Sequence, residues 1–245
     1  MQEEALLAGR LRKALDKILR KVKGRRVAVL FSGGFDSIFL ARAAQRYGAR
    51  LNAVTIAFEK YNSSTVKEAV RAARALDVPH EVIAVSRDEY LRSCVGIRRL
   101  QDKKEMDWDL PLVHAALEKA AGRGGLFIAG MGSDEWLGER SGAADNRARL
   151  ARAARSRRAH EQVAAERGQT IMFPFLTPEV LEIARKVPLA LKRGKKLLRS
   201  LDPDADRIAR SLRRAGPATV AQVPRTVRLV AERIIQGCSK RNVCR

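Results

Sequence analysis

Between an apolar run at 27–30 and a segment of helical periodicity lies the stretch LFSGGFDSI, residues 30–38, in which hydroxyls, bare backbone and an acid crowd together. Adjacent glycines at 33 and 34 let the chain turn sharply and bring N–H groups close to a ligand. IFLARAAQRYG follows at helical spacing, so those N–H groups stand where a helix begins, a position suited to phosphate oxygens. Ser32 and Ser37 add hydroxyl donors, and Asp36 adds a carboxylate, which a phosphate site uses only through a metal ion. No lysine follows the glycines, so this is not the G-x-x-x-x-G-K-[ST] loop. An ordinary serine-capped turn would need neither Asp36 nor both serines.

A second stretch, LFIAGMGSDEWLGE from Leu126, repeats the pattern of short apolar run, glycines, hydroxyl and acids. Alone it reads equally as a capping acid on a turn. Paired with SGGFDS it places Gly132, Ser133 and Asp134 beside the first loop, so that Asp36 and Asp134 could share a Mg²⁺ ion with phosphate oxygens.

Both stretches need elements that bring them to one edge. Apolar runs at 27–31, 51–56, 81–85 and 126–129 alternate with helix-like segments at about 37–47, 64–76 and 110–122. That alternation predicts an α/β fold, a doubly wound parallel sheet whose phosphate-binding turns lie at the strands' carboxyl ends. The reading divides the chain into an N-terminal helix at 1–24, an α/β core at 25–145 and a basic C-terminal part at 146–245 that completes the site. The last third, Arg- and Ala-rich and broken at Pro174, Pro178, Pro188, Pro203, Pro217 and Pro224, reads as helical throughout.

The chain has 245 residues, 46% hydrophobic, and carries a net charge of +22. Residues 147–245 hold 24 Lys and Arg against 8 Asp and Glu, a field that would attract phosphate polyanions. A solvated surface explains the same charge, and aromatics, at 5%, are too few for single-strand stacking. The segment RARLARAARSRRAH at 147–160 is a basic helix that either grips a polyanion or faces water. Three cysteines, Cys94, Cys238 and Cys244, offer no metal spacing; free thiols are expected, with a Cys238–Cys244 pair as the alternative. No run is long enough to span a bilayer and the acidic start is no secretory signal, so a cytoplasmic protein is expected. His80 reads as a strand-entry residue, and His114 and His160 as helix surface or packing. Trp108 and Trp136 flank the two loops and either line a substrate pocket or pack.

SGGFDS resembles the pyrophosphate-binding loop of the PP-loop ATP pyrophosphatase superfamily, and its pairing with GSDEWLGE resembles the synthetase domain of asparagine synthetases. LNAVTIAFE at 51–59, DVPHEV at 77–82, MFPFLTPEVLEIARKVP at 172–188 and KKLLR at 195–199 are similar to further parts of that domain, from about residue 25 to 201. The resemblance implies a ligase that splits ATP between the α- and β-phosphates, attaches AMP to a carboxylate and lets an amine displace it. It implies that Ser32, Gly33, Gly34 and Ser37 hold the pyrophosphate, with Gly132 and Ser133 nearby and Asp36 and Asp134 on magnesium. Leu30 and Ile56 would border the adenine, and Lys195 would contact the phosphates and support the later charged intermediate. Taken by itself, KRGKK at 192–196 reads equally as a solvated basic run.

The departures are specific. A glutamine-hydrolysing domain is absent from the sequence, and Gln2 stands where such enzymes begin with a nucleophilic cysteine, so ammonia is expected free or from a separate glutaminase subunit. Met131 replaces the glutamate common in asparagine-forming members, Thr177 ends a PFLT where the family has PFLD, and Ser64-Thr65 stands for an expected pair of acids. Two other functions compete with the small-carboxylate ligase. One is a PP-loop tRNA-modifying enzyme that adenylates an RNA base, favoured by the basic C-terminal third. The other is a non-catalytic nucleotide-binding subunit that lost its base at Met131.

Overall fold

The computed structural model describes residues 2–59, 64–100, 107–120, 125–134, 143–212 and 223–241, with the side chains of 143–150 and 236–241 excepted. Five strands form one parallel sheet: β1 (Arg26–Leu30), β2 (Arg50–Phe58), β3 (His80–Val85), β4 (Leu126–Ile128) and β5 (Thr170–Met172), in the order β3-β2-β1-β4-β5. Helix α1 (Gln2–Leu19) precedes β1, α2 (Phe35–Arg46) joins β1 to β2, and α3 (Ser64–Ala75) joins β2 to β3. Helices α4 (Arg87–Gly96) and α5 (Leu110–Lys119) lie between β3 and β4, and α6 (Ala143–Ala165) between β4 and β5. After β5 the described residues include α7 (Pro178–Lys186), α8 (Lys196–Leu201), α9 (Pro203–Leu212) and α10 (Arg225–Arg241).

The apolar runs became strands because both of their faces are covered. Val27, Val29 and Ala53 pack with Leu11, Leu15, Leu40, Ala44, Ala72 and Leu197 from α1, α2, α3 and α8. Val54, Ile83, Val85 and Phe127 point the other way, into Cys94, Leu112, Ala116, Val163 and Ala231 from α4, α5, α6 and α10. The strand order reverses beside β1: β2 and β3 add on one side, β4 and β5 on the other. Right-handed crossovers then put α2 and α3 on one face and α5 and α6 on the other. The crevice left where the order reverses opens at the carboxyl ends of β1 and β4, which pair through Ala28↔Phe127 and Val29↔Ile128.

The doubly wound parallel sheet is as expected. Among its described residues the last third is helical apart from turns and one strand: Thr170–Met172 forms β5, beside β4 in the register Leu126↔Thr170. With three residues, of which only Ile171 is buried, β5 carries too little apolar pattern to announce a strand. Helix α4 was not expected either, although Ser86 and Glu89 form a reciprocal capping box at its start, Ser86 N–H donating to Glu89 at 2.7 Å. The C-terminal helices are tied back to the first half of the chain. Arg42 donates to both carboxylate oxygens of the buried Asp202 at 3.1 Å and Arg46 to one at 2.8 Å, while Arg12 on α1 reaches the Leu201 carbonyl at 2.8 Å.

Candidate active site at the carboxyl edge of β1 and β4

After β1 the chain turns through Gly33, whose φ of +74° is a left-handed conformation that favours glycine. A Cβ there would stand 2.8 Å from the backbone N and Cα of Ala69, so Gly33 also lets α3 pass directly over the loop. Gly34 is the residue before α2, and no side chain caps that helix. The Ser37 hydroxyl turns back to donate to the Gly34 carbonyl at 2.9 Å, and the Gly34 N–H donates to the Ser32 oxygen at 3.3 Å. The first-turn N–H groups of α2, which have no partner inside a helix, therefore face the crevice with the positive end of the helix dipole.

The turn after β4 meets this loop closely. A Cβ on Gly130 would lie 3.1 Å from Asp36 Cβ, and one on Gly132 (φ +102°) would lie 2.6 Å from Leu176. Glycines at both places let the second turn nest between α2 and the Pro174–Leu176 turn, which brings Ser133 and Asp134 to Asp36. Lys195 completes the group from 159 positions beyond Asp36. Its Nζ lies 2.5 Å from Asp36 Oδ2, 2.6 Å from Asp134 Oδ1 and 3.1 Å from the buried Ser133 hydroxyl. Gly194 (φ +62°) and Lys195 (φ +57°) are both left-handed, a turn that aims the lysine into the crevice. Burial works to lower the Lys195 pKa, but the Asp36 and Asp134 charges outweigh it and hold the pKa above the ordinary value. Asp36 is raised above the usual carboxylate range: burial is the main cause, the Lys195 charge opposes it and Asp134 adds to it.

The residues fit a divalent cation. Asp36 Oδ1 is buried without a hydrogen-bond partner, an open ligand position on a carboxylate whose Oδ2 meets Lys195. Among the described residues no group of three His, Cys, Asp or Glu gathers in a metal-binding cluster. Two carboxylates with phosphate oxygens and water are what Mg²⁺ takes, rather than a cage of protein ligands.

Leu30 and Ile56 lie on the α5 side of the sheet, Leu30 opposite Val54 in register and Ile56 two residues nearer the carboxyl edge. Met131 and Trp108 pack against the same apolar cluster. Trp108 accepts the Tyr90 hydroxyl on its carbonyl at 3.3 Å, and the Arg228 guanidinium sits 5.8 Å from its ring centroid. Trp136 and the carboxyl half of GSDEWLGE lie outside the described residues, as do Cys244 and the Cys238 side chain; Cys94 is a buried free thiol. His114 and His160 are both buried in packing rather than exposed, at 7% and 2%. Thr177 precedes α7, but its hydroxyl donates back to the Pro174 carbonyl at 3.2 Å.

Two supports escaped the sequence reading. Arg199 donates from Nε to the Gly194 carbonyl at 2.7 Å, pairs with Asp206, and lies 4.6 Å over the Phe35 ring, joining the lysine turn to the start of α2. KKLLR marks this segment in the sequence, but nothing in its spacing says that Arg199 reaches backward to its own loop. His80 does begin β3, as expected, and does more: Thr55 donates to the Phe31 carbonyl at 2.6 Å, so its hydroxyl oxygen accepts from His80 Nε2 at 2.8 Å. Those bonds fix the carbonyl just before Ser32.

A parallel sheet with a glycine-rich, uncapped helix start at the point where strand order reverses, faced by a second acidic turn, defines an ATP-utilising PP-loop domain of the ATP pyrophosphatase type. The chain belongs to the asparagine synthase family, whose model matches residues 7–168. No curated protein matches it. Among solved structures it is similar to one titled as a predicted subunit of tRNA methyltransferase from Methanocaldococcus jannaschii. The identity is 19% over 66% of this chain and 74% of that one, with a TM-score of 0.39, a likeness too weak to bear on substrate.

Proposed function

We propose that the chain is an adenylating ligase: it activates a small carboxylate with ATP, releases pyrophosphate, and forms an amide or related C–N bond when an amine displaces AMP. The observation that carries this reading is the convergence of Lys195, Asp36, Asp134 and Ser133 on the uncapped start of α2. Bringing a carboxylate against a triphosphate sets like charge against like, so the attack needs a site that cancels charge without rearranging. The Ser32–Ser37 loop would hold the β- and γ-phosphates through backbone N–H groups and hydroxyls, leaving the α-phosphate toward the acidic turn. Lys195, kept protonated by its neighbours, would neutralise the phosphates and then the charge of the leaving pyrophosphate. A Mg²⁺ ion held by Asp36 and Asp134 would act as the Lewis acid on those oxygens. Leu30 and Ile56 would border the adenine. Met131 has no proton acceptor, so the reading does not commit to asparagine as the product.

One observation favours a second reading. Arg152, Arg155 and Arg158 are all exposed on α6, a basic face suited to RNA phosphates. The test is a single assay of pyrophosphate and AMP from ATP, run with pooled carboxylates and ammonia, and again with tRNA. AMP and pyrophosphate that depend on a carboxylate and vanish in Asp36→Asn and Asp134→Asn are expected. Stoichiometric ADP would reject the ligase reading. ATP consumption that depends on tRNA, and falls on charge reversal of the three arginines, would put an RNA base in place of the carboxylate. Nucleotide binding without turnover on any substrate would favour a non-catalytic subunit.

A further inference from the structure

One nitrogen stands where the two carboxylates converge. Lys195 Nζ is 2.5 Å from Asp36 and 2.6 Å from Asp134, with Ser133 as a third contact at 3.1 Å. The lysine side chain is 14% exposed, and its turn is held by Arg199 through the Gly194 carbonyl. We propose that Lys195 is an internal cation that plugs the divalent site, so that the protein takes up its metal only together with a nucleotide. The inference rests on the reading that ATP and a divalent cation bind at this crevice.

The physical reason is competition for the same charge. A divalent ion arriving alone must displace a protonated amine from both carboxylates, of which Asp36 is largely buried and holds the amine the more strongly, while Asp134 is exposed. The freed lysine would then be left in a partly buried crevice beside a dication, with no anion to receive it. A nucleotide changes both terms. Its phosphates give Lys195 a new partner and supply the oxygens that two carboxylates lack to complete a Mg²⁺ shell. The buried, unpartnered Asp36 Oδ1 marks a ligand position that the lysine does not satisfy. Gly194 allows the exchange, because a glycine at φ +62° can rotate without the steric penalty that other residues meet.

The test uses Mn²⁺ as the probe, titrated into the full chain and followed by the electron paramagnetic resonance of the free ion. It is run with and without the α,β-methylene analogue of ATP, which cannot be split between those phosphates. The wild-type chain should take up no stoichiometric Mn²⁺ alone and one ion with the analogue. Lys195→Met, and in parallel Lys195→Gln, which keeps hydrogen bonding without the charge, should bind one Mn²⁺ without nucleotide. The affinity should exceed that of wild type by at least about tenfold, and adding Asp36→Asn should abolish it. Circular dichroism of each variant separates loss of fold from loss of binding. Equal nucleotide-free Mn²⁺ binding in wild type and both folded lysine variants, or none in any of them, would overturn the plug. Failure of the analogue to bind at all, measured by equilibrium dialysis, would instead overturn the nucleotide reading, while the nucleotide-free comparison would still decide the plug.

Discussion

Arg199→Ala tests whether the lysine turn is held or merely placed. The side chain is 14% exposed and makes three attachments: Nε to the Gly194 carbonyl at 2.7 Å, an ion pair to Asp206, and a stack over Phe35 at 4.6 Å. Asp206 keeps Arg210 at 2.8 Å after the change, so that carboxylate is not left alone. The bond to Gly194 is charge-assisted and contributes roughly 1.5–3 kcal/mol, and the stack about 1 kcal/mol, so stability should fall by about 2–4 kcal/mol. The larger effect belongs to geometry. Lys195 at φ +57° sits in a conformation that costs a non-glycine residue on the order of 1 kcal/mol or more, which the Arg199 bond helps to maintain. Released, the turn relaxes, and a shift of about 1 Å at a reacting group costs roughly a hundredfold in rate. Pyrophosphate release by Arg199→Ala should therefore lose about 10- to 100-fold in kcat, with KM for ATP changing less. Arg199→Lys keeps the charge without the guanidinium fork and should recover only part of the loss. A folded Arg199→Ala protein that is destabilised in urea but retains kcat within about twofold would refute the positioning argument.

Gly33→Ala places a Cβ 2.8 Å from the Ala69 backbone at φ +74° and should cost at least about 2 kcal/mol in urea unfolding, whereas Gly48→Ala, at φ +70° in open space, should cost only about 1 kcal/mol. Equal costs would show that α3 does not bear on the loop. Burial lowers the pKa of His80, and burial together with Arg167 lowers that of His114, both from an ordinary 6.5. The unfolded chain therefore takes up protons first as pH falls. Stability from these residues is complete above about pH 6.5 and declines below it, so the urea midpoint should drop between about pH 7.5 and pH 5.5. The double variant His80→Gln and His114→Gln should show a flatter profile over the same range, and an unchanged slope would assign the loss to other groups.

Much of this site was legible in the sequence because its chemistry is local. Ser32 to Ser37 and Gly132 to Asp134 each follow an apolar run, and parallel strands put both runs' ends on one edge. The pairing of Asp36 with Asp134 then needs only that β1 and β4 be neighbours, which the reversal of strand order provides. The rest depends on contacts between distant residues that no spacing encodes. Asp202 is buried only because Arg42 and Arg46, on a helix near the other end of the chain, meet it. β5 is too short to carry a period, and its pairing with β4 makes it a strand. His80 looked like an entry residue because its tie to the Phe31 carbonyl runs through Thr55 on another strand. Arg199 was hidden for the opposite reason: it turns back on its own segment, where a sequence pattern reads it as one more base on a basic helix.

The ion pair between Asp36 and Lys195 spans 159 positions of sequence. During synthesis the chain emerges from its amino end, so the glycine loop, β2, β3 and α3 can form while the segment carrying Lys195 and Arg199 has yet to be made. Over that interval Asp36 lacks the Lys195 ammonium that meets it in the folded chain. The nascent protein thus passes through a stage in which its acidic turns are exposed to whatever free ions the surroundings contain. Closure of the C-terminal helices onto Arg42 and Arg46 ends that stage, so the site assembles only after the segment carrying Lys195 has been made.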